Sequence, residues 1–235
     1  MTVRVTREAE PQIEIYGGYS GELLGGAEGT LAHTTFTPTG DYVLLVRKNS
    51  LNSPQLEAGN VPTSYIPTDG ATATRAADVI YVPAANIPAY TTALSMALEG
   101  EMSYADEGLP TQSTFVYWAK DSNHEIRHAL QTYLTDTGQP VFIQDNSSQK
   151  EVYGAADAYS PGVYVPFSIA ARHGSTFING AVDGVALTED STPTALADLS
   201  AADLYLAYLS GPMLLFNFRF WAADIGDTGI AEASA

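Results

Sequence analysis

From Leu94 onward the apolar residues of this chain recur at every second position, in short runs cut apart by turn residues. The runs span residues 94–102, 113–119, 125–134, 140–144, 163–172, 175–178, 204–208 and 214–221. Between them stand Asp121-Ser-Asn, Thr137-Gly, Asp145-Asn-Ser-Ser, His173-Gly, Asn179-Gly and Asp183-Gly, which suit tight reversals. A period of two sends alternate side chains to opposite faces, so each run has one face to bury. The last run shows it plainly: Phe216, Phe218 and Phe220 alternate with Asn217, Arg219 and Trp221. Many short strands in close succession, with no alternating helical stretches, predict an all-β fold, an antiparallel β-sandwich.

Upstream the same period is present at 3–6, 13–16 and 41–47, around GGYSGELLGGAEGT, whose glycines read as a loop. A piece of roughly fifty residues buries little surface alone. Residues 1–53 are therefore expected to form a small β-rich anchoring or assembly segment that needs partner surface. Such an edge-rich piece predicts a homo-oligomer. Residues 54–79 carry Pro54, Gly59, Pro62, Pro67 and the pair Asp69-Gly70, too many breaks for a helix. With Tyr65 and Ile66 as its bulky apolar anchors, this stretch reads as an extended linker, and the sandwich takes residues 80–235.

Composition narrows the function. The formal net charge is -17, and beyond Ala76 the basic residues are Lys120, Arg127, Lys150, Arg172 and Arg219. No strongly basic face can form, which argues against nucleic acid and against an anionic membrane surface as partners. Cysteine is absent, so neither disulfides nor thiol catalysis enter. The start, MTVRVTREAEPQ, lacks the apolar core of a signal peptide. PMLLFNFRFWAA, the greasiest run, is broken by Asn217 and Arg219 and is too short to cross a bilayer. The expectation is a soluble protein made in the cytosol.

His124-Glu-Ile-Arg-His128 matches H-E-x-x-H, in which helical i, i+4 histidines chelate zinc and the glutamate acts as base. Ser122-x-x-Glu125 would cap such a helix. Read as a strand, the same residues put Ile126, His128, Leu130 and Thr132 on one face. The two histidines then lie about 13 Å apart, too far to share a metal. Gln131 and Leu134 stand where a longer zinc motif needs Gly and His, and nothing around Glu151 supports it as a downstream ligand. A zinc metallopeptidase is thus the remote alternative, and the pentapeptide is expected on a strand. Glu99 and Glu101, i and i+2 on a strand, could flank a glycosidic bond. Their plainer reading is two solvated acids on a polar face. With no G-x-S-x-G elbow and no P-loop lysine after Gly17-Gly18 or Gly25-Gly26, no catalytic residues are assigned and the chain is read as a non-enzyme.

Successive hairpins place alternate turns at one end of a sandwich. The turns 120–123 and 145–149 should share an end, bringing together Asp121, Asn123, Asp145 and Asn146, with Tyr117 and Trp118 nearby as a stacking face. Those oxygen-rich side chains suit sugar hydroxyls or a hard cation such as calcium, the one cofactor considered. The same residue types also dominate turns because they bond their own backbone.

The string from Leu56 to Asp78, an LE-x-G turn, then P-T-S-Y-I-P-T, then T-R-A-A-D, closely resembles one recurring in tailed-bacteriophage virion proteins. VPFSIAARHGSTFINGAVDGVALTEDSTP resembles the laminin-G-type pattern of a strand followed by N-G and D-G bends. LLFNFRFWAADIGDTGIAEAS resembles that family's closing strand and short tail. The likeness runs from Pro54 to the end. It implies a C-terminal concanavalin A-like (laminin-G-type) jelly roll, non-catalytic, carried on a fibre, head spike or other appendage of the particle. The implied partners are other virion proteins and a cell-surface polysaccharide, and the implied location is the virion, released by lysis. Two roles stay open: host attachment through a glycan, or purely structural decoration and bridging. No ligand motif of the family can be carried onto named residues.

Overall fold

The computed structural model describes residues 2–7, 13–20, 31–35, 37–46, 51–58, 65–104, 112–132, 137–208 and 211–235. The chain divides into two compact units, Met1–Ala77 and Asp78–Ala235. The first contains β1 (Thr2–Arg7), β2 (Ile13–Ser20), β3 (Leu31–Thr35), β4 (Thr37–Val46) and β5 (Leu51–Glu57). They pair antiparallel as a three-stranded sheet, β3-β1-β5, and a two-stranded one, β2-β4. Gly17 and Gly18, expected in a loop, lie within β2, and the remainder of that glycine cluster falls outside the described residues. Residues 54–57, assigned by their proline to the linker, complete β5 against β1, with Leu56 opposite Val3. Residues 65–79 have no regular structure and are exposed except for Ile66. The Ile66 N–H donates to the Gln55 side-chain carbonyl at 2.7 Å, so this anchor is tied to β5.

The second unit is a sandwich of two antiparallel sheets. One has six strands in the order β11-β10-β9-β8-β15-β6, where β6 is Ile80–Val82, β8 Gln112–Asp121, β9 His124–Gln131, β10 Gln139–Asn146, β11 Lys150–Tyr153 and β15 Leu204–Leu206. The other has five, β14-β13-β12-β7-β16, where β7 is Ala93–Tyr104, β12 Gly162–Gly174, β13 Ile178–Val182, β14 Val185–Ala186 and β16 Met213–Trp221. This all-β architecture of two antiparallel sheets is the sandwich the alternating pattern predicted. Leu94, Met96, Leu98 and Ile169 from one sheet meet Phe115, Trp118, Ile126, Leu130 and Phe142 from the other, all buried. Burying one such side chain contributes about 1.5–3 kcal/mol.

Two expectations change. Asn179-Gly180, read as a turn, lies inside β13; the reversal is at residues 175–177, where the Gly174 N–H reaches the Phe177 carbonyl at 2.9 Å. The glycine serves close packing instead, because a methyl at position 180 would run into the Phe142 ring. The expected tail is a helix, α1 (Gly226–Ala233), despite its two glycines. Its Ile230 and Ala233 pack on Ala97, Ala170 and Ala181, on the outer side of the five-stranded sheet. Arg172 from β12 ties it down, with Nε on Asp227 at 2.7 Å, Nη1 on Asp224 at 3.1 Å and Nη2 on Glu189.

Candidate functional site

The sandwich gathers the predicted turns at one end because β8, β9, β10 and β11 are neighbours in order and each pair is antiparallel. The Ser147 N–H donates to the Asn123 carbonyl at 2.8 Å, which joins the β8–β9 and β10–β11 turns directly. Asp121 and Asn123 are exposed there. The Asp121 carboxylate accepts from the Asn123 N–H at 2.9 Å and lies 2.6 Å from His124 Nδ1. Those bonds, the imidazole foremost, hold its carboxyl below the usual range. Asn146 is half-buried and gives its amide to the Ala195 carbonyl at 2.9 Å.

Asp145 and Trp118 do not join this rim. Asp145 is buried beside its cross-strand neighbour Glu125, and its Oδ1 has no hydrogen-bond partner among the described residues. Burial raises the Glu125 carboxyl, Arg127 lowers it and Asp145 raises it further. Trp118 is fully buried, with its indole N–H on the Ala202 carbonyl at 2.9 Å and its ring edge-on to Tyr90 and Phe220. The pleat decides this: Tyr117 and Trp118 point to opposite faces, and the core takes the larger ring. Among the described residues no three His, Cys, Asp or Glu side chains are grouped to hold a metal ion.

The H-E-x-x-H residues lie on β9. His124 sits at the turn, Glu125 faces the outer side of the sheet, and His128 is buried between the sheets. His128 Nε2 meets His173 Nε2 at 3.0 Å, with the rings nearly parallel. The helical geometry that zinc chemistry needs is absent from this segment. Glu99, exposed, and Glu101, half-buried, stand on the outer side of β7, since Leu98, Gly100 and Met102 face inward. Glu151 accepts from the Tyr153 hydroxyl and the Gln149 amide.

At the same end a cleft of about 400 Å³ opens between two loops that the sequence reading left unassigned. Ile87, Pro88 and Tyr90 line it from the segment before β7; Leu196, Asp198 and Ser200 line it from the segment before β15. The Tyr90 hydroxyl donates to the Ala197 carbonyl at 3.0 Å and accepts from the Leu199 N–H at 2.9 Å, which fixes one wall to the other. Asp198 accepts from the Ser200 hydroxyl at 2.6 Å and its N–H at 3.1 Å; these bonds, with Lys120 nearby, hold its carboxyl low. Asn146 to Ala195, and the Thr194 hydroxyl to the Ser148 carbonyl at 3.3 Å, stitch this wall to the β10–β11 turn. Apolar side chains and carboxylate and hydroxyl oxygens line the cleft in similar measure, and its size falls in the range of small-ligand sites. IPAYTT and ALADLS carry no motif, and their contacts span more than a hundred residues of chain, so no local pattern could reveal them.

The fold defines the C-terminal unit as an antiparallel β-sandwich. No protein-family model matches the chain, and no curated protein does. Among solved structures the chain is similar to domain 4 of AbnA, a GH43 extracellular arabinanase from Geobacillus stearothermophilus, in complex with arabinotriose: 17% identity, 67% of this chain, 72% of that one, TM-score 0.50. A more distant likeness is to the CBM40 of the Ruminococcus gnavus IT-sialidase bound to α2,6-sialyllactose, with 9% identity, 62% and 85% coverage and TM-score 0.46. Another is to the binding domain of botulinum neurotoxin serotype D, with 9% identity, 60% and 36% coverage and TM-score 0.47. At these identities the likeness is one of fold.

Proposed function

We propose that the C-terminal unit is a non-catalytic carbohydrate-binding module, displayed on an appendage of a tailed-phage particle to attach it to a host-surface glycan. The end cleft carries this reading: among its lining residues Ile87, Pro88 and Leu196 offer apolar contact to the carbon face of a sugar, and Asp198, Ser200 and Thr91 offer oxygens to its hydroxyls. The similar arabinanase domain was solved with arabinotriose, which makes that trisaccharide the first ligand to try. The phage setting rests on the likeness of the linker string, residues 56–78.

Titration calorimetry of the full chain against arabinotriose and a panel of host-surface oligosaccharides tests the binding. Asp198→Ala with Ser200→Ala should weaken it at least tenfold; a blank panel, or a variant that binds like the parent, would end the glycan reading. Proteomics of purified particles tests the setting, and absence of the chain from them would remove it. A second reading, bridging between particle subunits, draws on β16, an edge strand that exposes 48% of Leu214 and 61% of Phe216. A monomeric mass in solution at every concentration would count against self-association through that edge.

A further inference from the structure

The outer side of the six-stranded sheet carries a straight row of like residues. Cross-strand register aligns Tyr81 on β6 with Tyr205 on β15, Tyr205 with Tyr117 on β8, and Tyr117 with Arg127 on β9. Their neighbours Leu204, Leu206, Trp118 and Ile126 fill the core, so alternation sends the row outward. Tyr208 wedges in from the turn after β15, 5.3 Å from the Tyr205 ring and 4.8 Å from that of Tyr117, while Tyr81 lies 5.8 Å from Tyr205. The row crosses four strands, about 14 Å at the usual strand spacing. It is open at the β6 edge, where Tyr81 is 49% exposed, and ends at buried Ile143 on β10. None of the four phenol hydroxyls has a hydrogen-bond partner among the described residues. Arg127 closes the row, with Nη1 on Gln112 at 3.1 Å and Nη2 on Glu125 at 3.3 Å.

We infer that this tyrosine row is a second binding surface, one that takes an extended, uncharged polysaccharide laid across the strands. A repeating row of identical groups fits a repeating ligand. Free phenols on half-buried rings offer apolar contact together with donors and acceptors for sugar hydroxyls. Charge selects against polyanions: the one cation of the row is already paired with Glu125, and the chain carries a net -17. The surface lies outside the end cleft, which shares no residue with it. The inference rests on the glycan-binding reading only in ligand class.

Affinity electrophoresis of the full chain in gels containing arabinan, mannan or laminarin, with alginate as the polyanion control, tests it, alongside calorimetry with arabinotriose. The expected result is retardation in at least one neutral gel and none in alginate. In a chain whose cleft is disabled by Asp198→Ala with Ser200→Ala, adding Tyr81→Ala with Tyr205→Ala should abolish the retardation that remains, while the two tyrosine changes alone leave trisaccharide affinity at the cleft unchanged. Tyr81→Phe with Tyr205→Phe, which keeps the rings and so the packing, should weaken retardation about tenfold through the two lost hydroxyls. Alanine and phenylalanine variants retarded like the parent would overturn the row and leave the cleft reading intact. No retardation in any neutral gel, or retardation in alginate alone, would overturn it as well.

Discussion

Acid should unfold the sandwich through its buried histidines. His128 and His173 are wholly enclosed, and their Nε2 atoms share one proton across 3.0 Å between the two sheets. Gln144 sets its direction. Its amide donates to the Gly174 and Thr194 carbonyls at 3.0 and 2.7 Å, so its oxygen accepts from His173 Nδ1 at 3.2 Å. His173 Nε2 is then bare, and His128 donates to it. A proton added to His173 Nε2 would set N–H against N–H, or force His128 to move its own proton to Nδ1, and in either case leave a charge enclosed between the sheets. Burial pushes the His128 imidazole down to about 3, and burial together with His128 holds His173 well below its ordinary value. Below pH 6.5 the unfolded chain binds protons that the folded chain refuses, so stability falls as pH drops, and for His128 the loss is complete only near pH 3. At pH 5 each ring that stays neutral costs about 2 kcal/mol, about 4 kcal/mol for the pair, against a typical total of roughly 5–15 kcal/mol. Urea midpoints at pH 7.5 and 5.0 measure it, with His128→Leu/His173→Leu as the control that should lose less than about 1 kcal/mol over the same interval. A parent chain equally stable at both values, or a control equally acid-sensitive, would refute the argument.

Arg172→Met should destabilise the C-terminal unit by about 2–3 kcal/mol in urea unfolding, below the usual cost of breaking a fully buried pair because Asp224, Asp227 and Glu189 can each reach water. Gly180→Ala should cost at least about 2–3 kcal/mol, seen as a drop in Tm, since the Phe142 ring fills the space a methyl needs. Metal analysis of the purified chain should find no stoichiometric zinc, and His124→Ala should leave that result and the fold unchanged, because His124 and His128 lie on a strand with His128 facing His173.

The alternating pattern made the sheets legible because a strand with one buried face must write its period into the sequence. Leu94 to Met102 and Val163 to Arg172 are such strands, and the turns at Asp121 and Asp183 follow local chemistry. What escaped was decided elsewhere in space. Gly180 looks like a turn glycine until Phe142 is seen lying across it. Gly226-Asp-Thr-Gly229 has poor helix propensity, and α1 exists because alanines on three strands leave it a bed. Trp118 is the ring the sequence nominates for a ligand face, with Tyr117 beside it, and only the register shows that the core claims Trp118. The cleft needed two loops to meet from more than a hundred residues apart, and the tyrosine row needed the non-sequential strand order β8-β15-β6.

The helix on the five-stranded sheet has a consequence for any array of this module. With α1 seated on Ala97, Ala170 and Ala181, the part of that broad side around the three alanines is covered, while the cleft and the tyrosine row lie away from it. Two copies mounted with their tyrosine rows turned away from each other would not grip the same flat target together. Avidity would then depend on the rotation at which each copy is fixed to its base, and a misaligned mount would forfeit it without altering one contact within the sandwich.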